Sequence, residues 1–291
     1  GRFRLMGTLF SATIKGQLID PEGLLERVQQ VLSDQGRVIQ EDGAPTWMVR
    51  EVHKGIEKAE HALLGGRLSI GLRAVQRATD LSSALSDRAL KSEATISLAN
   101  VMIRLGMLDE AARRLADATA LAHAIDRQDL RRLCHALRAW VTLDKQPRSR
   151  AAAASAVDRV LPMLAGAEAR GHQPEDVMLY AILARASAVL GDTASFRRAQ
   201  ATALEWAEDV PEALRLGVCL QLARGAIVLR DLDDTRKLAR SAVSKREQYP
   251  LLAWEGARLL ALVDGNVPPA PGSFIDGLEP AVAEALDARP I

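Results

Sequence analysis

The amino-acid sequence predicts an all-α fold, a right-handed solenoid of about five antiparallel helical hairpins completed by a capping helix. A frame of twenty residues that begins and ends on Ala recurs four times, at residues 59–78, 99–118, 184–203 and 223–242. The starts lie 40, 85 and 39 residues apart, and the longest interval leaves room for one degenerate copy. A fixed period of this length is typical of stacked helical hairpins.

The composition favours the same fold. Hydrophobic residues are 48% of the 291 residues, whereas aromatic residues are only 3%. A core built mainly from Ala and Leu suits helices that approach one another closely better than it suits a β-sandwich. At this length the chain accommodates either two ordinary domains or one elongated repeat array.

Residues 1–45 lack the repeat and predict a small mixed α/β segment. The apolar run at 8–14 indicates a short strand. Residues 20–22, Asp-Pro-Glu, are a good helix start, because Pro at the first helical position and acidic neighbours both favour a helix N-terminus. A β-hairpin is predicted around Asp42-Gly43. We expect this segment to be distinct from the repeats, which occupy 46–264.

The repeats begin near Thr46, where the apolar residues take up the helical period. The first hairpin is divided at Gly65-Gly66, and the second covers 87–105 and 108–124. The third begins with a helix at 127–144. Its partner, at 151–169, contains Pro162, which is expected to kink or divide the helix.

Start signals predict the last hairpins. Pro174 opens the fourth hairpin, and the fifth opens at 209–211 with Asp209 as its N-cap. Because the final hairpin would otherwise expose its core, the apolar helix Leu251–Val263 is expected to cap it.

Residues 265–291 form a separate C-terminal region in this prediction. The stretch at 265–272 contains three prolines and predicts a linker. A short closing helix is expected at about 276–288, with Ser273 as a candidate cap.

The frame resembles the tetratricopeptide repeat (TPR), a helical hairpin with small residues at fixed positions and Gly at its turn. The second copy carries the resemblance best, with Ala99, Ala111 and Ala118 at the small positions, Gly106 at the turn, and the typical turn sequence GMLDEA. Small residues let helices approach closely, and Gly accepts the left-handed backbone that ends the first helix.

The other copies depart from this pattern. Arg230 replaces the turn Gly in the last copy, and Phe196 and Thr235 stand where the second copy has Ala111. The period near 40 exceeds the usual value of about 34 residues. The longer period resembles the helical-repeat sensor domains of large bacterial signalling ATPases and transcription activators. A winged-helix module precedes the repeats in some of those proteins, and residues 24–49 would be its remnant.

The resemblance implies a concave groove lined by the first helix of each hairpin. Transferred to this sequence, the groove positions form an acidic N-terminal end and a column of arginines farther along. The implied partner-binding residues are Glu60, Glu93, Asn100, Arg104, Arg131, Arg138, Arg185 and Arg224. Guanidinium groups suit a peptide C-terminal carboxylate, an acidic segment or a phosphate. The alternative is that these arginines are solvated or pair with acids on neighbouring helices.

No motif in the sequence predicts catalysis. A Gly-rich phosphate loop, GxSxG, HExxH and paired-cysteine metal patterns are all absent from it. His53, Glu57 and His61 share one side of a predicted helix, where a solvated face is expected rather than a zinc site, since nothing completes the coordination. Cys134 and Cys219 are predicted to be buried thiols. We therefore expect a non-enzymatic protein without a cofactor or metal.

The charge balance argues against two classes of partner. With 38 basic and 37 acidic residues the net charge is +1, which disfavours general binding of nucleic acid or a membrane surface. No stretch approaches the roughly 20 apolar residues of a membrane-spanning helix, and the start lacks the apolar core of a signal peptide. These features predict a cytoplasmic protein.

Two functions remain open from the sequence. The first is a scaffold or regulatory module that holds a protein or peptide partner in its groove. The second is a sensor domain of a larger bacterial regulator, such as a STAND-type ATPase or a transcription activator, in which a small molecule or signalling peptide changes the superhelix. A neighbouring effector domain is expected, with Trp47 as a candidate docking residue.

Overall fold

A computed structural model of the chain describes residues 46–275 together with residues 284, 286 and 287. Every regular element in this described part is helical, and it contains eleven helices of more than ten residues. In chain order they are α1 (Thr46–Leu64), α2 (Leu68–Ser83), α3 (Arg88–Arg104), α4 (Leu108–Ala124), α5 (Gln128–Lys145), α6 (Arg150–Leu164), α7 (Pro174–Leu190), α8 (Thr193–Trp206), α9 (Glu212–Val228), α10 (Leu232–Val243) and α11 (Pro250–Val263).

Successive helices pack as five hairpins, from α1–α2 to α9–α10, and α11 packs against α10. The prediction of an all-α stack of about five hairpins with a capping helix is confirmed. The mixed segment and winged-helix remnant expected before Thr46 lie outside the described residues. The closing helix expected at 276–288 also lies outside them, apart from the helical residues 284, 286 and 287.

Several helix starts have a recognisable signal in the structure. The Asp87 carboxylate accepts hydrogen bonds from the backbone N–H groups of Ala89 and Leu90, at 2.9 and 3.0 Å. These bonds satisfy two of the donors that a helix N-terminus leaves free. Pro174 and Pro250 are the first residues of their helices, as expected for a residue without an N–H.

One predicted start is wrong. Asp209 is not the N-cap of the fifth hairpin, because it ends a 3-10 turn at Ala207–Asp209 and α9 begins only at Glu212. Pro211 occupies the N-cap position and has no side-chain oxygen to offer the first turn. The helix therefore starts from the fixed backbone angle of proline rather than from a carboxylate cap.

The eighth position of the frame has a left-handed backbone in all four copies. The φ angles are 75° at Gly66, 78° at Gly106, 83° at Gly191 and 61° at Arg230. The predicted turn geometry is thus confirmed, including in the copy where Arg replaces Gly. The Ala residues that begin and end the frame are all buried, as close helix contacts require: Ala59, Ala78, Ala99, Ala118, Ala184, Ala203, Ala223 and Ala242.

Phe196 replaces a small residue without opening the hairpin, because the next hairpin supplies the space. A Cβ added to Gly225 of α9 would lie 2.8 Å from Cε2 of Phe196 and 3.2 Å from Cα of Arg185. Because Gly225 has no side chain, the Phe196 ring occupies the space beside it. The departure of the third copy from the frame is compensated one hairpin farther along the chain.

The partner of α5 is divided, as predicted, but the break follows Pro162 by several residues. Helix α6 continues through Pro162 to Leu164, and a one-turn helix, Ala167–Arg170, follows a left-handed Gly166 with φ of 73°. Gly supplies this backbone without the steric penalty of a Cβ.

The predicted linker at 265–272 packs against the capping helix. The indole N–H of Trp254 in α11 donates to the carbonyl oxygen of Pro269 at 2.9 Å, and Pro271 is buried. Three prolines fix φ along this stretch, and a 3-10 turn at Pro271–Ser273 ends it.

The odd-numbered helices form the centre of the stack. Each contacts the next odd-numbered helix, and α11 also contacts α1, so the five first helices of the hairpins and the capping helix make a closed circuit of contacts. Helix α9 buries eleven consecutive residues, 216–226. Eleven residues are about three turns, so no side of α9 faces solvent over that length. This burial differs from the open concave wall expected from the resemblance. Arg104 of α3 reaches α9 from across the circuit, where its Nη2 would lie 3.2 Å from a Cβ added to Gly217.

Candidate functional site

Three of the predicted groove arginines meet at the centre of the stack. They belong to a buried group of polar and aromatic side chains, called here the inner network, which joins five of the six odd-numbered helices. Its members are Arg104 on α3, Trp140 and Asp144 on α5, Arg185 on α7, Gln221 and Arg224 on α9, and Glu255 on α11.

Arg185 is bound on three sides within the chain and is only 3% exposed. Its Nη1 donates to Oδ1 of Asp144 at 2.6 Å and to Oε1 of Gln221 at 2.9 Å, and Nη2 donates to the carbonyl oxygen of Leu143 at 3.3 Å. The second oxygen of Asp144 accepts the indole N–H of Trp140 at 2.9 Å. Such charge-assisted bonds between buried partners fix α5, α7 and α9 against one another.

Glu255 holds the other two arginines. Arg224, 6% exposed, donates from Nη2 to Oε2 of Glu255 at 3.0 Å, and Nη1 of Arg104 lies 3.5 Å from Oε1. The Arg104 guanidinium also lies over the Trp140 ring, 4.6 Å from its centroid. Since α3 and α11 are distant in sequence, Arg104 bridges opposite parts of the circuit.

The pairing of these arginines with acids on neighbouring helices is the alternative that the sequence left open. For Arg104, Arg185 and Arg224 the structure shows this pairing. That they also contact a partner stays a prediction.

The acidic end of the predicted groove is not brought to the inner network. Glu60 is exposed on α1, and Asn100 is half-buried on α3. Glu93 pairs with Arg127, whose Nη2 lies 3.4 Å from its carboxylate. Trp47 lies near the start of α1 with 40% of its surface exposed, and its docking role likewise stays a prediction.

The remaining predicted arginines, Arg131 and Arg138, belong to a second group, which we call the basic cluster. It consists of His123 on α4, Arg131, His135 and Arg138 on α5, and Arg159 on α6. The three residues of α5 recur at spacings of four and three, so they share one face of the helix. The rings of His123 and His135 lie edge to face with their centroids 6.4 Å apart.

The positive charge of the basic cluster is poorly compensated. Burial, together with the nearby cations Arg159, Arg138, His123 and Arg131, lowers the pKa of His135 from 6.5 to about 4. Burial and then Arg138 lower the pKa of Arg159 as well. Every neighbouring charge that shifts these two groups is positive, so the cluster has a strong positive potential and His135 is neutral at neutral pH.

The basic cluster also has buried side-chain nitrogens without hydrogen-bond partners. Nε of Arg131, Nδ1 of His135 and Nε of Arg159 are buried and have no hydrogen-bond partner in the described part of the chain. Another nitrogen of Arg131, Nη2, does form an ion pair, with Oδ1 of Asp126 at 2.6 Å. Leaving a buried donor unsatisfied costs roughly 1–3 kcal/mol. A ligand that supplies acceptors at this place would therefore be stabilised.

A cleft of about 620 Å³ separates the turn of the first hairpin from the C-terminal segment. Its walls include Gly66, Arg67, Arg246, Pro250 and residues 273–275. The Arg246 guanidinium lies over the Phe274 ring, 4.4 Å from its centroid, and donates to the Ser273 carbonyl oxygen. We call this cavity the terminal cleft.

Neither cysteine has the surroundings of a nucleophile. Both Cys134 and Cys219 are buried as predicted, and burial raises the pKa of Cys134 to about 11 and also raises that of Cys219. Both thiols therefore remain protonated at neutral pH.

The described residues contain no group of three or more His, Cys, Asp or Glu side chains placed to hold a metal ion. His53, Glu57 and His61 are exposed on α1, and Nδ1 of His61 lies 2.8 Å from the Glu57 carbonyl oxygen. Within the same part of the chain, no helix combines the length and apolar character needed to cross a bilayer.

No model of a known protein family matches the chain, and no curated protein matches it. Among solved structures, it is similar to a kinesin light chain-like protein from Podosopora anserina with nearly identical TPR-like repeats. That match has 16% identity and a TM-score of 0.47, over 69% of this chain and 98% of the other. A variant of the same protein gives 15% identity and 0.48, over 66% and 92%.

A TPR protein from Parabacteroides merdae is also similar, with 13% identity and a TM-score of 0.27 over 82% of this chain and 98% of the other. Similarity this low says nothing about what the chain binds. The hairpins, the left-handed turns and the buried Ala frame are what make the described fold a TPR-like helical repeat.

Sequence reasoning missed several members of both groups. Glu255 is an isolated acid inside the apolar helix α11, which is a signal that it has a buried cationic partner, whereas Asp144 lies at the end of the polar helix α5 and gave no such signal. His135 lies one turn from both Arg131 and Arg138, so the helical period alone places it with them. Arg159 gave no such signal, because its approach to α5 depends on how α6 packs.

Proposed function

We propose that the helical repeat is a non-enzymatic interaction module that binds an acidic protein or peptide partner through the basic cluster. The observation that carries the proposal is the uncompensated positive charge of Arg138 and Arg159, which lie beside the neutral His135 ring and whose side chains are only partly buried. An acidic segment would supply both the negative charge and the acceptors that these groups lack.

The two groups of arginines have different roles in this proposal. Arg104, Arg185 and Arg224 bind acids of their own chain and position the first helices. Arg131 and Arg138, also implied by the resemblance, face the partner. A partner with a free C-terminal carboxylate suits the same surface, since a carboxylate accepts hydrogen bonds from guanidinium groups in pairs.

Affinity capture from cell extract, quantified by mass spectrometry, tests this proposal. Arg138→Glu combined with Arg131→Glu places carboxylates beside Arg159 and His135, so the variant should fold while repelling an acidic partner. We expect proteins captured by the wild type to be depleted at least tenfold. Arg77→Glu, an exposed position of α2, is the matched control and should capture the same proteins as the wild type. Equal capture by all three proteins would refute the proposed site.

The terminal cleft favours a second function, that of a sensor domain in a larger cytoplasmic regulator with an attached effector. A small molecule or signalling peptide bound there would contact both ends of the stack, at Arg67 and Arg246. Binding to the native state alone would raise the melting temperature. Strong stabilisation by a low-molecular-weight fraction of extract, lost in Arg246→Ala, supports the sensor, whereas stabilisation by the protein fraction alone argues against it.

A further inference from the structure

We infer that the basic cluster is a phosphate-binding site whose ligand is a phosphate monoester. This inference rests on the proposed function, because it names the chemistry of the acidic group bound at that surface. The monoester is carried either by a phosphorylated residue of the protein partner or by a small phosphorylated compound.

The number of donors favours phosphate over a carboxylate. Nε–H of Arg131 and Nε–H of Arg159 are buried donors without an acceptor, Nδ1 of His135 likewise has no partner, and Arg138 forms no ion pair among the described residues. A carboxylate offers two oxygens, whereas a phosphate monoester offers three terminal oxygens. A phosphate therefore has one terminal oxygen for each of the three arginines, which a single carboxylate lacks.

The charge of the site favours phosphate as well. Three arginines converge with two histidines, and the only carboxylate paired with any of them is that of Asp126, whose side chain is 85% exposed, within the described contacts. A phosphate monoester carries about −1.5 to −2 charge at pH 7, against −1 for a carboxylate. The larger charge offsets more of the repulsion between Arg138 and Arg159.

The arrangement of the helices makes the site specific to this hairpin. The donors come from both helices of the third hairpin, with Arg131 and Arg138 on α5 and Arg159 on α6, and the His123 ring of the preceding hairpin lies against His135.

The inner network pairs Arg185 with Asp144 and Arg224 with Glu255 of its own chain, although Nε and Nη1 of Arg224 also lack a hydrogen-bond partner in the described part. The two groups therefore differ in charge: the inner network has buried internal carboxylates, whereas the basic cluster has only the exposed Asp126 among the described contacts.

The test uses the full chain and four probes: a short acidic peptide with one phosphoserine, the same peptide with Ser, the same peptide with Glu at that position, and phenyl phosphate. Affinities are measured by calorimetry in a buffer without phosphate or sulfate. We expect the phosphopeptide to bind at least tenfold more tightly than the Ser and Glu peptides, because only the phosphate has an additional oxygen and additional charge to bind the third arginine.

The variants are Arg138→Gln and Arg159→Gln, with Arg77→Gln as the matched control. Each of the first two variants should bind the phosphopeptide about tenfold or more weakly than the wild type does. The control should bind it with the affinity of the wild type. Removing one cation from a repulsive cluster should maintain or raise the melting temperature, so lost binding is separable from unfolding. Bound phosphate should also raise the pKa of His135, which NMR titration of its ring reports.

The outcomes separate this inference from the proposed function. Equal binding of the phosphoserine and Glu peptides, lost in both Gln variants, overturns phosphate recognition and leaves an acidic-partner site. Failure of all four probes to bind, or binding that neither Gln variant weakens, overturns both. If phenyl phosphate binds as tightly as the phosphopeptide and the variants weaken it, the phosphate site holds and the source is a small phosphorylated compound.

Discussion

Arg230 shows how one residue can conflict with the backbone that its turn requires. Its φ of 61° is left-handed, like that of Gly106 at the same position of the second copy. This conformation costs a residue with a Cβ about 1–2 kcal/mol, and Gly avoids the penalty. The last hairpin therefore retains a strain that the other copies avoid.

Replacing Arg230 with Gly should stabilise the chain. We expect Arg230→Gly to raise the free energy of unfolding by about 0.5–1 kcal/mol, less than the full strain because Gly also gains entropy in the unfolded chain. Gly106→Ala should lower it by about 1 kcal/mol for the opposite reason. Urea unfolding followed by circular dichroism measures both. A destabilised Arg230→Gly would mean that the Arg side chain makes contacts outweighing the strain.

His135 should make stability depend on pH in a defined window. Its pKa is about 4 in the folded chain and 6.5 without the fold, because burial and the cations Arg159, Arg138, His123 and Arg131 disfavour the charged ring. As the pH falls from 6.5 to 4, the unfolded chain takes up a proton that the folded chain does not. Stability therefore falls with acidification in this window and is unaffected by His135 above it.

We expect His135→Gln to remove this acid-induced loss of stability, which is on the order of 2 kcal/mol. This is less than the free energy that corresponds to the whole pKa shift, because the ring is only half-buried. Chemical denaturation at several pH values between 4 and 7 measures it. His53→Gln, at an exposed position of α1, is the control. If the free energy of unfolding of the His135 variant fell with acidification as steeply as that of the wild type, the ring would not be surrounded by cations.

At the scale of the helices, the inner network explains how the first helices are held in place. Breaking a buried ion pair by removing one partner typically costs about 3–5 kcal/mol, because the other charge remains buried. Arg185→Glu places an additional carboxylate beside Asp144. We expect a loss of stability of at least that size, together with loss of helical signal on mild heating.

Arg198→Glu is the comparison for Arg185→Glu, since Arg198 is exposed on α8 and its side chain donates to Ser195 of its own helix at 3.3 Å. This change should alter stability by less than about 0.5 kcal/mol. Thermal unfolding measures the melting temperatures of the two variants, and we expect that of Arg185→Glu to be much lower. Similar melting temperatures would show that Arg185 is not the anchor its contacts indicate.

Local signals in the sequence predicted the helices well. The second hairpin was expected at 87–105 and 108–124 and lies at Arg88–Arg104 and Leu108–Ala124. Caps, turn glycines and the helical period are properties of neighbouring residues, so they can be read along the chain. Asp209 is the exception, because Pro211 starts α9 without a carboxylate cap.

Contacts between hairpins were much less predictable. The pairing of Arg224 with Glu255 joins residues 31 apart, and that of Arg185 with Asp144 joins residues 41 apart. A repeat frame predicts which residues face a neighbouring helix, but it does not predict which acidic residue of that helix they contact. The frame therefore placed the arginines on the first helices, and only packing shows which are bound internally and which, like Arg138, are not.

For the repeat unit as a whole, contact between the first and last helices should make unfolding more cooperative than in an open repeat array. Open arrays gain stability from nearest neighbours alone, and their ends fray. Here a Cβ at Gly66 would lie 2.9 Å from Cγ of Pro250 and 3.4 Å from Cγ2 of Ile275, which shows how closely the two ends pack.

Gly66→Ala should therefore loosen both ends together. The substitution combines a left-handed φ of 75° with the contact to Pro250, and the backbone strain alone costs about 1–2 kcal/mol. Hydrogen exchange should increase in α1 and α11 alike, although they lie at opposite ends of the repeats. Gly191→Ala, with a similar φ but nothing within 4 Å of the added Cβ, is the control and should affect only its own hairpin. Increased exchange confined to α1 and α2 would contradict the coupling.

The contact of α11 with α1 also limits how this protein can change over evolution. Repeat proteins usually vary by gaining or losing whole units, since each unit contacts only its neighbours. In this chain Arg104 on α3 reaches Glu255 on α11, and Gly66 leaves room for Pro250. An inserted or deleted hairpin would separate both pairs, so the number of repeats is constrained by the structure and variation is left to single residues.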